Sequence, residues 1–295
     1  MKTAGKLSHL WSLLRVAVAA RLPDKPVRHR VRGVELVLNR RHWLRHFTRG
    51  HALYAENMVS LGRLLEEAEG RLCMLDIGAN VGDSALLVLE HVDAEVVCVE
   101  PDPEWVTYLR RNVGSLDNVV IEPSVLVGSE DAGSSMRIVH HEEGTSQVRP
   151  TDDGSGVRTL TTDELLANHP QLQNVRLVKT DTDGYDVQLV PPLARTFIGS
   201  RPILFFEFDP QPTALATPEL DPNDIWQVLI GLGYEQAVVW DNGGRLIGRA
   251  ATAELPEKSK VLDLPQKERG YGFWDIAVAH RDDPVGLLVL EKVGH

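Results

Sequence analysis

The sequence predicts an α/β fold: a mostly parallel sheet with helices on both faces. Three observations predict it. From residue 70 onward, short apolar runs alternate with stretches of helical periodicity, as in LCMLDIGA, then 83–91, then EVVCVEP, then 104–113. Helices of that length between strands imply crossovers, and crossovers imply parallel pairing. Several of the apolar runs end in glycine or an acid, where an open parallel sheet binds its ligands.

The elements follow in order. LSHLWSLLRVAVAARL (7–22) reads as a helix, because Leu7, Leu10, Trp11, Leu14 and Val18 share one face, and Pro23 and Pro26 end it. VRHRVRGVELVL reads as a hairpin turning at Arg32-Gly33. Residues 55–69 are helical, with Met58, Leu61, Leu64 and Leu65 on one face. After the first two strands and their helices, VVIEPSVLVG reads as one third strand. Residues 130–156, rich in Gly, Ser, Asp and His, read as loop with one hairpin. A short helix at 162–168 opens on a capping residue. VRLVKTD, PILFFEF, EQAVVWD and 273–279 are strands, with helices at 185–197 and 224–232. Trp226, Trp240 and Trp274 read as core. The expected division is 1–69 as an N-terminal extension of helix, hairpin and helix, 70–283 as the ligand-binding domain, and 284–295 as a C-terminal tail.

Composition narrows the function. The net charge is −11, with 12 Lys and Arg against 2 Asp and Glu in residues 1–50 and 19 against 40 in the rest. An acidic body argues against nucleic-acid binding. No apolar run approaches the ~20 residues of a spanning helix. Arg15 interrupts the first apolar stretch and no cleavage site follows, so no signal peptide is expected. Cys73 and Cys98 lie in strand-like runs, which implies buried thiols, no disulfide, and a reducing, cytoplasmic setting.

The strand ends carry the chemistry. The first ends in Asp76-Ile77-Gly78-Ala79-Asn80-Val81-Gly82-Asp83. Gly78 and Gly82 allow a tight turn and close approach of a ligand. Glu100, ending the second strand, lies 18 residues after Gly82, where an acid reaches ribose hydroxyls. Pro101, at the end of the second strand, and Ser124, within the third, are further candidates for the same ligand site. The pattern is G-x-x-x-G, with Asn80 where a dinucleotide loop has its middle glycine, and Asp76 and Asp83 suit a cation better than a diphosphate. S-adenosylmethionine carries a sulfonium and an ammonium group, so it fits better than NAD.

The fourth and fifth strands end in Lys179-Thr180-Asp181-Thr182-Asp183-Gly184 and Glu207-Phe208-Asp209. If these strands are neighbours, their carboxylates converge beside the donor. Crowded carboxylates raise one another's pKa, so one can act as a base. The same acids, Asp181, Asp183 and Glu207, are the ligands if a divalent cation is used, and the metal-free arrangement is preferred because no spacing is diagnostic. Asp183-Gly184 is also a common turn pair. His140, in His140-His141-Glu142-Glu143, is a candidate for proton transfer, although no zinc-binding spacing surrounds it.

The runs LDIGANVGD, CVEPDPEWVTYLRRN, VRTLTTDELL, VRLVKTDTDGYD and PILFFEFDP, in this order and spacing, resemble the FkbM family of S-adenosylmethionine-dependent methyltransferases. The likeness extends from about Val27 to about His280. It implies the Rossmann-like class I methyltransferase fold, a seven-stranded sheet with its last strand antiparallel. It also implies O-methylation, commonly of sugars or natural-product scaffolds. By motif match Asp76, Gly78, Asn80, Gly82 and Glu100 line the donor site, while Lys179, Asp181 and Glu207 stand on the acceptor side. One departure is that many members carry Val-Glu before the motif's glycine and a glutamate soon after it. Here Thr182-Asp183 precede Gly184 and Asp186 follows, and shorter acids reach less far. A nicotinamide oxidoreductase and a non-catalytic assembly partner of the same fold are the alternatives. The basic apolar-striped segment 1–26 is expected to pack as a lid or a homodimer arm rather than to lie on a membrane.

Overall fold

A computed structural model describes residues 25–140, 146–151, 156–216 and 220–294. The helix expected at 7–22 lies outside them, as does His141. The described chain opens with the expected hairpin, β1 (Pro26–Val31) and β2 (Val34–Asn39), then α1 (Leu44–Gly50) and α2 (Glu56–Glu69). Arg32 and Gly33 both have positive φ, 46° and 94°, the backbone of a tight two-residue hairpin turn. Next come β3 (Leu72–Ile77), α3 (Asp83–Leu89), β4 (Ala94–Val99), α4 (Pro103–Val113), β5 (Val119–Glu122) and β6 (Val125–Val127). They are followed by β7 (Met136–His140), β8 (Ser146–Pro150), β9 (Thr159–Thr161), α5 (Thr162–Asn168), β10 (Leu177–Thr180), α6 (Asp186–Thr196) and β11 (Ile203–Phe208). The chain continues with α7 (Pro210–Ala216), α8 (Asp224–Gly231), β12 (Tyr234–Asp241), β13 (Leu246–Ala251), β14 (Trp274–His280) and α9 (Pro284–Lys292), besides short helical turns.

The main sheet has the order β13-β12-β14-β11-β10-β3-β4-β5. β5, β4, β3, β10 and β11 are parallel, and β14 runs antiparallel to both β11 and β12. This is the Rossmann-like methyltransferase sheet with its last core strand reversed. It has eight strands rather than the expected seven, because β13 pairs antiparallel with the edge of β12. The signal for β13 was the Asp241-Asn242-Gly243-Gly244 turn: Asp241 Oδ1 accepts from the backbone N–H of Gly243 and Arg245, both at 2.9 Å. The strand itself, LIGRAA, is half exposed and lacks an apolar run. Arg249 on β13 donates to the carbonyls of Leu290, Glu291 and Val293, so β13 and the C-terminal end of α9 hold each other.

The expected third strand is in fact two. Pro123 has no N–H to continue the ladder. β5 therefore stays in the main sheet while β6 leaves it and pairs with β9. The loop-rich stretch contains its hairpin, β7 with β8. α5 is capped by Thr161, with Glu164 returning a bond to the Thr161 backbone.

Alternation along each central strand divides the core in two. Leu75, Val97, Val178, Leu204 and Ile276 face α6 and α8, with Trp226 and Trp274 on that side. Met74, Val96, Leu177, Phe205 and Ala277 face α2, α3, α4 and α9, with Trp240 there. The hairpin's Val31, Leu36 and Leu38 join this second core, so the extension is packed onto the sheet. Cys73 and Cys98 are buried free thiols. Among the described residues, no helix is long and apolar enough to cross a membrane.

Candidate active site

The strand order reverses between β3 and β10, and two clefts open there at the carboxyl ends of the strands. They share Gly78, Asn80, Asp181 and Asp183, so one ligand in each would meet at these residues.

The first cleft lies over β3 and β4. Its walls are apolar, from Ile77, Val99, Trp105, Leu126 and Tyr185, and Glu100, Pro101 and Ser124 also line it. Glu100 is 5% exposed and accepts from the N–H of Asn80 at 2.8 Å and of Asp102 at 2.9 Å. Burial pushes its carboxyl up to about 7. Each carboxylate oxygen keeps a free lone pair, so the group can still receive a diol. The turn that builds the cleft needs its glycine. Gly78 has φ +70°, and a Cβ there would lie 1.9 Å from the carbonyl oxygen of Asp181. Gly82, at φ +85°, serves packing instead: its Cβ would meet Leu109 at 2.8 Å.

The second cleft runs from the same junction toward α1. Lys179, Glu207 and Asp275 line it from the sheet, and His42, Phe47 and Tyr54 from the N-terminal extension. Lys179 is 4% exposed, with Nζ 3.0 Å from Asp76 Oδ1 and 3.5 Å from Asp181 Oδ2, and it donates to the Gly78 carbonyl at 3.2 Å. Burial acts to lower its pKa, but the charges of Asp76 and Asp181 outweigh it and hold the ammonium well above its ordinary range. Lys179 thus pins the Gly78 turn to the Asp181 loop.

The remaining carboxyls are forced toward neutrality. Burial first, then the charge of Asp181, raises Asp183 to about 8. Asp275 rises to about 7 and Asp186 to about 6, in each case mainly through burial, and Glu207 rises well above the carboxylate range for the same reason. Each folded value lies above the unfolded one, so the native chain holds more protons than the unfolded chain and loses stability as pH rises through these values. The melting temperature is therefore expected to be higher at pH 6 than at pH 8.5, by calorimetry. A melting temperature that climbs across that range would show that the carboxyls are not crowded in this way.

Not every candidate enters the place expected of it. Asp181, Asp183 and Glu207 do converge. Asp183 has φ +52° and Gly184 φ +100°, so Asp183 also makes the turn. Asp76 lies under the loop, paired with Lys179, rather than in the first cleft. Asp83 lines the second cleft and accepts from the Tyr54 hydroxyl at 2.5 Å. The acids lining the first cleft are Glu100, Asp181 and Asp183. His140 lines neither cleft: its Nδ1 is 3.1 Å from Asp102 Oδ2, where Ser146 donates to the same carboxylate at 2.6 Å. This pairing clamps the β7–β8 hairpin to the start of α4. Among the described residues, no group of three or more His, Cys, Asp or Glu side chains is arranged to hold a metal ion.

Residues that sequence reasoning missed complete the second cleft. Asp275 sits opposite Glu207 in the antiparallel register of β11 and β14 and accepts from Asn57 at 3.1 Å. His42 accepts the Leu44 N–H at Nδ1, 3.2 Å, which leaves the Nε2 proton to be donated to Asn80 Oδ1 at 2.9 Å. Burial lowers its pKa, so it stays neutral in this role. The ring braces Asn80, whose φ is +48° and whose N–H holds Glu100. Neither contact has a spacing signal in sequence.

The first cleft fits S-adenosylmethionine: apolar walls for a purine, a buried carboxylate for a ribose, and acids at the junction for a cation. Glu100→Ala is expected to weaken binding of S-adenosylhomocysteine, the demethylated product, by about 2–3 kcal/mol, the range for charge-assisted bonds. Calorimetry giving an unchanged affinity would remove Glu100 from the ribose site.

The family model of the methyltransferase FkbM domain matches residues 76–235. Solved structures similar to the chain include a precorrin-6y C5,15-methyltransferase from Geobacter metallireducens, 12% identical, covering 76% of this chain and 86% of that one, TM-score 0.39. Methyltransferase FkbM from Methylobacillus flagellatus is 16% identical, covering 57% of this chain and 40% of that one, TM-score 0.39. An O-methyltransferase from Bacillus cereus, in complex with S-adenosylhomocysteine, is 14% identical, covering 75% and 80%, TM-score 0.39. No curated protein matches the sequence.

Proposed function

The chain belongs to the FkbM family of methyltransferases, and from that premise we propose that it transfers a methyl group from S-adenosylmethionine to a hydroxyl of a sugar, a glycan or a natural-product scaffold. The observation that carries this reading is the meeting of the two clefts at Asp181 and Asp183. When bound, S-adenosylmethionine supplies a methyl group on a positively charged sulfonium, open to displacement by an aligned nucleophile.

The chain's own residues then have separate tasks. Glu100 accepts the ribose hydroxyls, and Asn80, braced by His42, keeps Glu100 in place. Asp181 presents negative charge at the junction, held by Lys179. Asp183 takes the acceptor's proton: a pKa of about 8 lies near the operating pH, where general bases work best. Phe47 and Tyr54 give the acceptor an aromatic wall along the second cleft.

The reading is tested by titrating the protein with S-adenosylhomocysteine and with NAD, followed by a radiolabelled methyl-transfer assay on hydroxyl-bearing acceptors. Binding of S-adenosylhomocysteine alone, with label recovered as a methyl ether, is expected. Binding of NAD in its place would favour a nicotinamide oxidoreductase, and donor binding without transfer to any acceptor would favour a non-catalytic partner.

A further inference from the structure

A third cleft continues outward from the second, and the two share Trp43, Phe47, Asn242 and Phe273. From this continuity we infer that the acceptor is an extended carbohydrate of two or more sugar units, whose outer units lie in this trough. The inference rests on the methyltransferase reading and names the substrate class of the same site.

The chemistry of the trough selects the class. Trp43 is 41% exposed at the boundary of the two clefts, and Tyr271 lies farther out. A sugar ring has an apolar C–H face that packs on such rings, and hydroxyls around its edge. Side-chain amides match hydroxyls because each both donates and accepts. Gln211 and Gln266 supply exposed amides along the trough, while the Gln147 amide beside them bonds the Asp183 carbonyl and Arg149.

The charged groups here hold the walls rather than offering a net charge. Arg269 donates to the backbone carbonyls of Leu262, Leu264, Tyr271 and Gly272. Asp241 accepts from Gly243 and Arg245, Asp209 from the N–H of Gln211 at 3.3 Å, and Asn242 Oδ1 from the N–H of Gly272 at 2.9 Å. Arg149 and Arg269 balance Asp209 and Asp241 around the trough, which disfavours a strongly anionic or cationic occupant. A neutral, polyhydroxylated chain remains. The trough is also tied to the reacting end: Gln147 donates to the Asp183 carbonyl at 3.0 Å, so a unit seated against β8 bears on the loop that holds the base.

The test uses the full chain saturated with S-adenosylhomocysteine on an array carrying mono- to hexasaccharides at equal density, with calorimetry of S-adenosylhomocysteine alongside. Binding is expected from disaccharides upward, at least tenfold above the monosaccharides of the same composition. The double variant Gln211→Ala/Gln266→Ala, both at exposed positions, is expected to lose that length dependence while binding S-adenosylhomocysteine as the wild type does. Equal binding of mono- and oligosaccharides, no binding to any glycan, or an unchanged length dependence in the variant would each overturn the inference. Failure of the wild type to bind S-adenosylhomocysteine is a separate result and strikes the methyltransferase reading instead.

Discussion

Replacing Gly78 by alanine is expected to abolish donor binding and lower the melting temperature. Two effects add. A residue with a Cβ at φ +70° costs roughly 1–2 kcal/mol. The Cβ also lands 1.9 Å from the Asp181 carbonyl oxygen, a backbone atom just past β10, and relief of such overpacking costs about 1–3 kcal/mol more. The relief can come only by parting the Gly78 turn from the Asp181 loop, which Lys179 bonds on both sides. Donor cleft and carboxylate junction are therefore disturbed together. Gly33→Ala is the control: its φ is +94°, but nothing lies within 4 Å of the added Cβ, so it bears the backbone strain without the clash. Calorimetry with S-adenosylhomocysteine and thermal unfolding read both variants. A Gly78→Ala protein with wild-type affinity and melting temperature would mean that the two loops do not touch in this way.

Asp183→Asn is expected to lower turnover by about 10²–10⁴-fold, the contribution of a positioned base, with S-adenosylhomocysteine affinity within a few-fold of wild type. The substitution is clean, because asparagine tolerates the left-handed backbone that Asp183 occupies. In the wild type the rate should rise with pH through about 8 as the carboxyl ionises, and the variant should lose that rise. Asp181→Asn should fall less in turnover, since Asp181 is paired with Lys179. A reversed ranking would move the base to Asp181, and full activity in both variants would remove the carboxylates from the chemistry. Chelator is expected to leave the rate unchanged. A loss restored by magnesium would instead make Asp181, Asp183 and Glu207 ligands of a divalent cation.

The parts of the site legible beforehand were those written within a few residues of a strand end. The Gly78–Gly82 turn, Glu100, and the Lys179–Gly184 run were readable because strand, turn and acid follow one another along the chain. The parts that escaped depend on pairing. Asp275 matters because β14 lies antiparallel beside β11 and sets it opposite Glu207. His42 matters because the segment after the hairpin folds back to Asn80, 38 residues on. Asp83 was legible as an acid but not in its direction: the first turn of α3 points it to Tyr54 and the second cleft.

By itself the sequence determined the parallel centre of the sheet and the glycine turn after β3, because apolar periodicity and glycine placement are local and act through burial and backbone sterics. It also determined that carboxylates gather at the strand ends. The tertiary structure decided how deeply each of them is buried. Asp76 and Asp181 carry the same side chain, each one residue from the end of a strand, yet one is fully buried against Lys179 and the other is half exposed at the junction. It also decided that α1 and the segment after it wall the second cleft and that the turn between β12 and β13 continues it outward. Desolvation and charge coupling depend on what surrounds a group in space, and for these residues the surroundings come from strands, helices and turns far apart in the chain.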